Sequence, residues 1–196
     1  MPLVRVKLYF VSGLLAMLVG GPGCPQSYTA HVAPQTATQP AAQTAASHMA
    51  PGRVYDPQEA FSIMLPPGWR NAGQSMPHFM TFLGPVEGPF TVNFNVLADK
   101  DDGTPVEEAR PKVVGWMTRL LGNYRMVEEG FTQVAGEKVY FVSGTFVWDG
   151  QKVRNLQYFI RGANKRAYVL TFAAPISTFA KHRPIFEQAA QTVIIR

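Results

Sequence analysis

Hydrophobic and polar residues alternate in Phe61-Ser62-Ile63-Met64-Leu65, and the run stops at Pro66-Pro67-Gly68. Period-two alternation ended by Pro and Gly predicts a strand entering a turn. His78 to Leu83 is a second candidate strand. In the next, Phe90, Val92, Phe94 and Val96 share one face while Thr91, Asn93 and Asn95 share the other. That division predicts a half-buried strand, closed by the acidic loop Asp99 to Gly103. The period then changes. Val106, Ala109, Val113, Met117, Leu120 and Leu121 form one apolar stripe at helical spacing. Thr104-Pro105-Val106-Glu107 matches a capping box with Pro at the first helical position, and Gly122-Asn123 is a fitting stop. Pro111 predicts either a kink or a delayed helix start.

The second half is richer in strands. Tyr124 to Val134 predicts an irregular strand. Lys138 to Trp148 and Lys152 to Ile160 flank Asp149-Gly150, a strong hairpin signal because both turn positions of a type I′ turn need positive φ. Arg161 to Arg166 predicts a Gly-Asn turn, and Ala167 to Ala173 the last strand. Phe179, Phe186, Ala189, Ala190 and Val193 give a closing amphipathic helix, with Ser177 as its N-cap and a bend expected at Pro184. Hairpin-linked strands need an antiparallel sheet, and two apolar helix stripes need a surface to cover. The expected fold class is therefore α+β, an antiparallel sheet flanked by helices.

Composition divides the chain into unlike parts. Met1 to Lys7 carries Arg5 and Lys7 and no acid, and Leu8 to Val19 is almost wholly apolar. That run is too short to cross a bilayer core, which needs about 20 residues. A basic start followed by a short apolar run is the pattern of a secretory signal. Gly20 to Gly23 interrupt it, and Cys24, the only cysteine, follows at once. This arrangement resembles a bacterial lipoprotein signal, in which the Cys becomes the lipid-modified first residue. Gly23 fills the small position before the Cys, whereas Gly21 stands where that pattern has Leu. A plain cleaved signal and an uncleaved anchor remain the alternatives. Residues 25–52 contain no Lys, Arg, Asp or Glu and few bulky apolar side chains. Such a segment cannot offset its ordering entropy and predicts a disordered tether, reaching about 30 Å as a flexible coil. Residues 53–196 are then the folded domain. The formal charge of +5 falls to +3 once Arg5 and Lys7 are removed. With no Lys/Arg run or basic-aromatic interleaving, nucleic acid is not an expected partner.

Phe61 through Trp69 resembles the opening F-x-I-x-L-P-x-G-W of the PsbP/DcrB-like family. Ala167-Tyr168-Val169-Leu170-Thr171 resembles the last strand of that family, and Phe179 to Phe186 with Val193 to Arg196 is similar to its closing helix. The resemblance covers most of residues 55–196. It implies an α/β sandwich on an antiparallel sheet and a mostly non-enzymatic protein with no shared catalytic set. Bacterial members include periplasmic lipoproteins, and plant and cyanobacterial members are extrinsic photosystem subunits.

Residues that could carry chemistry are sparse. The domain has His78 and His182 and no Cys, which is too few ligands for a typical zinc site. Asp99 to Asp102 fails as a calcium loop, because Gly103 comes one place early and Arg110 stands where the bidentate Glu belongs. Glu107/Glu108 and Glu128/Glu129 are neighbours and should point apart. No catalytic residue, metal site or cofactor is expected. The expected activity is that of a lipid-anchored, periplasm-facing protein of the bacterial cell envelope, secreted if not lipidated, with a protein-binding or scaffolding domain. Its partners would be the membrane through Cys24 and an unidentified envelope protein. Trp148, Phe79, Phe82 and Phe90 are the candidate partner contacts, the three Phe surrounding a Gly/Pro-rich loop at 84–89. The alternatives are a small-ligand or lipid carrier with a pocket between the sheet and one helix, and a hydrolase using His78 or His182. The hydrolase would require a carboxylate or hydroxyl beside a His in a cleft.

Overall fold

The computed structural model describes residues 52–55, 60–76, 79–121, 123–162 and 165–196. Cys24, nearly all of the expected tether, and His78 lie outside the described residues. The described chain runs β1 (Arg53–Tyr55), β2 (Phe61–Met64), β3 (Arg70–Met76), β4 (Phe79–Glu87) and β5 (Phe90–Lys100). A 3-10 turn at Val106–Glu108 leads into α1 (Ala109–Leu121). Next come β6 (Arg125–Val134), β7 (Glu137–Trp148), β8 (Gln151–Arg161), β9 (Arg166–Pro175), α2 (Phe179–Gln191) and β10 (Ile194–Ile195).

Seven strands form one sheet in the order β3-β4-β5-β9-β8-β7-β6, and β1-β2-β10 form a small second sheet. Every pairing is antiparallel. The large sheet consists of two meanders, β3-β4-β5 and β6-β7-β8-β9, joined where β5 pairs β9 from Asn93↔Ala173 to Lys100↔Arg166. α1 carries the chain from the centre of the sheet to its far edge at β6. The molecule is mostly antiparallel sheet with two helices, so the sheet dominates more than a sandwich description implies.

The two faces of the sheet have different interiors. Phe82, Phe94, Leu156, Leu170 and Phe172 join Phe179, Phe186, Ala189 and Ala190 of α2 in one apolar cluster. Its spine is a run of rings: Phe82–Phe94 at 4.5 Å, Phe94–Phe172 at 5.1 Å and Phe172–Phe186 at 5.0 Å between centroids. The opposite face packs Tyr140, Val142, Phe146 and Val153 against Val113 and Met117 of α1. That face also buries Asn93, Asn95, Asn155, Gln157 and Thr171.

Several sequence expectations need correction. β5 is buried on both sides, not half-buried: Asn93 and Asn95 are 1% and 4% exposed. The expected loop at 84–89 is mostly strand: β4 continues to Glu87 through a register shift between Leu83 and Val86, which accommodates Pro85, and the turn is only Gly88-Pro89. Gly84 is required there by packing, since a Cβ would fall 2.6 Å from the Trp69 ring. The capping box does not form. Pro105 occupies the cap with no side-chain hydrogen bond, and α1 proper begins at Ala109. Pro111 thus falls in the first turn, where its missing N–H costs nothing. The N-cap of α2 is Thr178 rather than Ser177. β9 is not the last strand, because Ile194 and Ile195 pair with Ser62 and Phe61. The Asp149-Gly150 hairpin forms as expected, with φ of 46° and 73°.

Phe186 touches the ring spine from α2 and is fully buried. Its truncation leaves a cavity at the joint between helix and sheet, so Phe186→Ala is expected to lower unfolding free energy by about 3–5 kcal/mol. Urea denaturation measures this, and a loss below about 1 kcal/mol would contradict the packing described.

Candidate functional site

β6 is one of the two edge strands of the large sheet, β3 being the other. Edge strands are normally kept polar or covered, because their unpaired backbone groups invite pairing with another chain. Here Val127, Phe131 and Met126 are 52%, 46% and 38% exposed. Phe131 lies 5.8 Å from the Tyr140 ring, with the Lys138 ammonium 4.5 Å above its own ring.

A groove of about 470 Å³ opens beside this edge, between α2 and strands β6 to β8. Its floor is Phe141, Leu156 and Tyr158, and its helix wall is Arg183, Glu187, Gln188 and Gln191. Gly130 of β6 pairs with Phe141 and puts no side chain over the floor; a Cβ there would sit 3.1 Å from the Phe141 ring. Glu128 accepts from Arg183 Nη1 at 2.6 Å and from Arg154 Nη2 at 3.1 Å. Arg183 Nε in turn donates to Glu187 at 2.7 Å. These pairs raise the Arg183 guanidinium further above its ordinary range, the Glu187 bond being the main cause. The Arg154 guanidinium covers the Phe179 ring at 4.6 Å. This polar network fixes one end of the groove. Glu129, the next residue, points the other way as expected. Its carboxylate accepts from Tyr140 Oη at 2.6 Å and from Arg110 Nε of α1 at 2.6 Å. Both contacts hold that carboxyl below its usual value, the Tyr140 bond first.

The sequence-derived contact residues fall elsewhere. Phe82 and Phe90 are 0% and 4% exposed, members of the two core clusters, so neither side chain is available to a partner. Phe79 begins β4, and its side chain lies outside the description. Trp148 is half-buried against the α1-side cluster, and Trp69 packs on Phe94 and Phe186. The groove itself was missed. Gly130 inside a strand was the available signal, because an interior Gly marks close approach or an uncovered surface.

His182 has a carboxylate partner that its position in the sequence does not suggest. Its Nε2 is 2.9 Å from Glu87 Oε1, and Lys181 Nζ reaches the same oxygen at 3.0 Å. The His182 side chain is 2% exposed and that of Glu87 19%, so the pair joins the core to the surface of the molecule. It pins α2 to the β4–β5 turn. Lys181 and His182 hold the Glu87 carboxyl below its ordinary 4.5, the Lys181 bond first. Glu87 is therefore ionised at neutral pH and accepts only, which places a proton on His182 Nε2. Among the described residues, no group of three or more His, Cys, Asp or Glu side chains is placed to hold a metal ion.

No family model matches the sequence, and no curated protein matches it. Solved structures do match. Cyanobacterial PsbP (CyanoP) from Synechocystis sp. PCC 6803 is 11% identical over 79% of this chain and 98% of its own, with a TM-score of 0.57. The Ran-binding protein Mog1p of Saccharomyces cerevisiae is 15% identical over 73% of this chain and 94% of its own, at 0.54. LpqN of Mycobacterium tuberculosis, involved in cell envelope biogenesis, is 14% identical over 76% of this chain and 87% of its own, at 0.50. The fold is PsbP-like, as the sequence resemblance implied.

A carboxyl with a lowered pKa adds stability that is fully present above its unfolded value and is lost as pH falls through its folded value. Glu87→Gln should therefore flatten the decline of Tm between about pH 6 and about pH 3 relative to the parent chain. Differential scanning calorimetry across that range checks this, and parallel declines would contradict it.

Proposed function

We propose that this chain is a cell-envelope lipoprotein whose domain binds a partner protein along the β6 edge and its groove. Cys24 carries the lipid, residues 25–52 form the tether, and residues 53–196 form the binding module. The observation that carries the binding role is the exposed apolar row Met126, Val127 and Phe131 on an uncovered edge strand. An edge of this kind supplies backbone hydrogen bonds for an added strand, and the aromatic floor of the groove offers side-chain pockets beside it. A partner with an extended segment of apolar and polar residues in alternation suits both features.

Two of the structural neighbours favour the same class of role: Mog1p is a Ran-binding protein and LpqN is tied to the cell envelope. No helix among the described residues is long and apolar enough to cross a membrane. In this reading membrane attachment rests on the thiol, since a thioether-linked diacylglycerol needs Cys24. The groove between sheet and helix favours a second reading, a carrier for a small amphipathic ligand.

Radiolabelled palmitate should enter the parent chain and not Cys24→Ala; equal labelling of both would defeat the lipoprotein reading. For the binding surface, a photo-reactive amino acid at Phe131 or Val127 in the native host should give a discrete adduct. The same probe at Val86, which is 72% exposed on the other meander, should not. A protein-sized adduct supports the first reading and a lipid-sized one the second. Equal adducts at all three positions, or none, would count against both.

A further inference from the structure

The groove beside β6 opens to the sheet edge through a short window. On the α2 side of the sheet, β6 carries Glu128, Gly130 and Thr132, which pair with Ser143, Phe141 and Val139. Glu128 closes the window upstream, held by Arg154 at 3.1 Å and by Arg183 at 2.6 Å. Downstream it is closed where Gln191 Nε2 donates to the Gln133 carbonyl at 3.0 Å. Gly130 lies between the two closures, and the Phe141 ring leans over it. Cε1 and Cζ of that ring are 3.1 and 3.4 Å from the place a Gly130 Cβ would take. A ring laid over the glycine of a neighbouring strand covers the bare backbone there. It also carries apolar surface out to the edge of the sheet, and Phe141 is only partly buried.

The charges around the groove cancel. Arg154 and Arg183 face Glu128 and Glu187, two cations bonded to two carboxylates. The floor adds Leu156 and the Tyr158 ring, whose centroid is 6.4 Å from that of Phe141. Burial pushes the Tyr158 phenol above its ordinary range, so it stays neutral at physiological pH. A charged side chain entering here would lose its hydration and meet a network whose charges are already paired. An uncharged apolar one would exchange water for the Phe141, Leu156 and Tyr158 surfaces, and the groove of about 470 Å³ has room for it.

A strand laid along β6 would run about 4.8 Å outside it. Directly opposite residues share a face, and large side chains reach beyond their immediate partner. The partner residue opposite Gly130 therefore meets the edge of the Phe141 ring with no β6 side chain between them. Its neighbours two places away on either side face Glu128 and Thr132, both polar. Resting on the reading that β6 receives an extended segment, we infer that the Gly130–Phe141 step is where that segment is selected. It takes a large uncharged aromatic or aliphatic side chain into the groove, with polar residues two places to each side. The edge backbone supplies pairing that any sequence can use, and this one position supplies the choice.

The test selects short peptides from a random displayed library on the full chain and measures their affinity by fluorescence anisotropy. Recovered peptides should share one large apolar residue with polar residues two places to each side. Replacing that residue by Ala should weaken binding at least ~10-fold, as loss of a buried anchor does. Gly130→Leu, which displaces the Phe141 ring, should weaken binding to a similar degree. So should Gln188→Trp, which fills the groove from its helix wall, leaves β6 untouched and decides the matter if Gly130→Leu fails to fold. Peptides that bind the parent chain and Gln188→Trp equally, or that carry a charged residue at the shared position, would overturn the inference and leave the edge reading standing. Recovery of no peptide would defeat the edge reading and the inference with it. A lipid-sized molecule seen by native mass spectrometry on the parent chain and absent from Gln188→Trp would assign the groove to a small amphipathic ligand and overturn the inference.

Discussion

The pairing of β5 with β9 is the constraint on which the rest of the molecule depends. It joins two meanders that would otherwise be separate antiparallel units, over the continuous register from Asn93↔Ala173 to Lys100↔Arg166. Phe94 and Phe172 face each other across this joint, and Phe186 of α2 stacks on it. A single helix therefore seals the seam between the meanders. Contacts of such long sequence separation are entropically expensive to close, and the buried aromatic area offsets that cost.

From this seam the two faces diverge. The α2 face is aromatic and apolar, and the His182–Glu87 pair locks the helix to the β4–β5 turn. The α1 face carries amides at its centre. α1 is fastened toward the β6 side, through Arg110 to Glu129 and Tyr140. Glu128 and Glu129 thus work on opposite faces of one edge strand, each tying that strand to a different helix. With β6 held in place but uncovered, the exposed Val127 and Phe131 are presented on a fixed support, which is what a recognition edge needs.

Local signals in the sequence were legible where local physics decides. Asp149-Gly150 needs positive φ at both residues, and the hairpin follows. Val113 and Met117 sit on the core side of α1 because the helical period puts them there. The misses have non-local causes. Asn93 and Asn95 read as a solvent face because alternation cannot reveal burial by parts of the chain distant in sequence. Phe82 and Phe90 were placed beside a loop because Gly84 and Pro85 suggest one, yet a register shift and the overlying Trp69 ring keep that segment in the sheet. His182 and Glu87 stand 95 residues apart, and only the fold brings them together. β3 and β10 escaped notice because one is polar and the other has two residues.

The central claim is a rigid seam with an available edge, and amide hydrogen exchange on the isolated chain tests it most directly. Residues 93–100 of β5 and 166–173 of β9 should exchange slowest, near the global unfolding limit, while residues 126–131 of β6 should exchange at least ~10-fold faster through local opening. Equal protection of β6 and the seam would show an edge already covered, and would contradict the account.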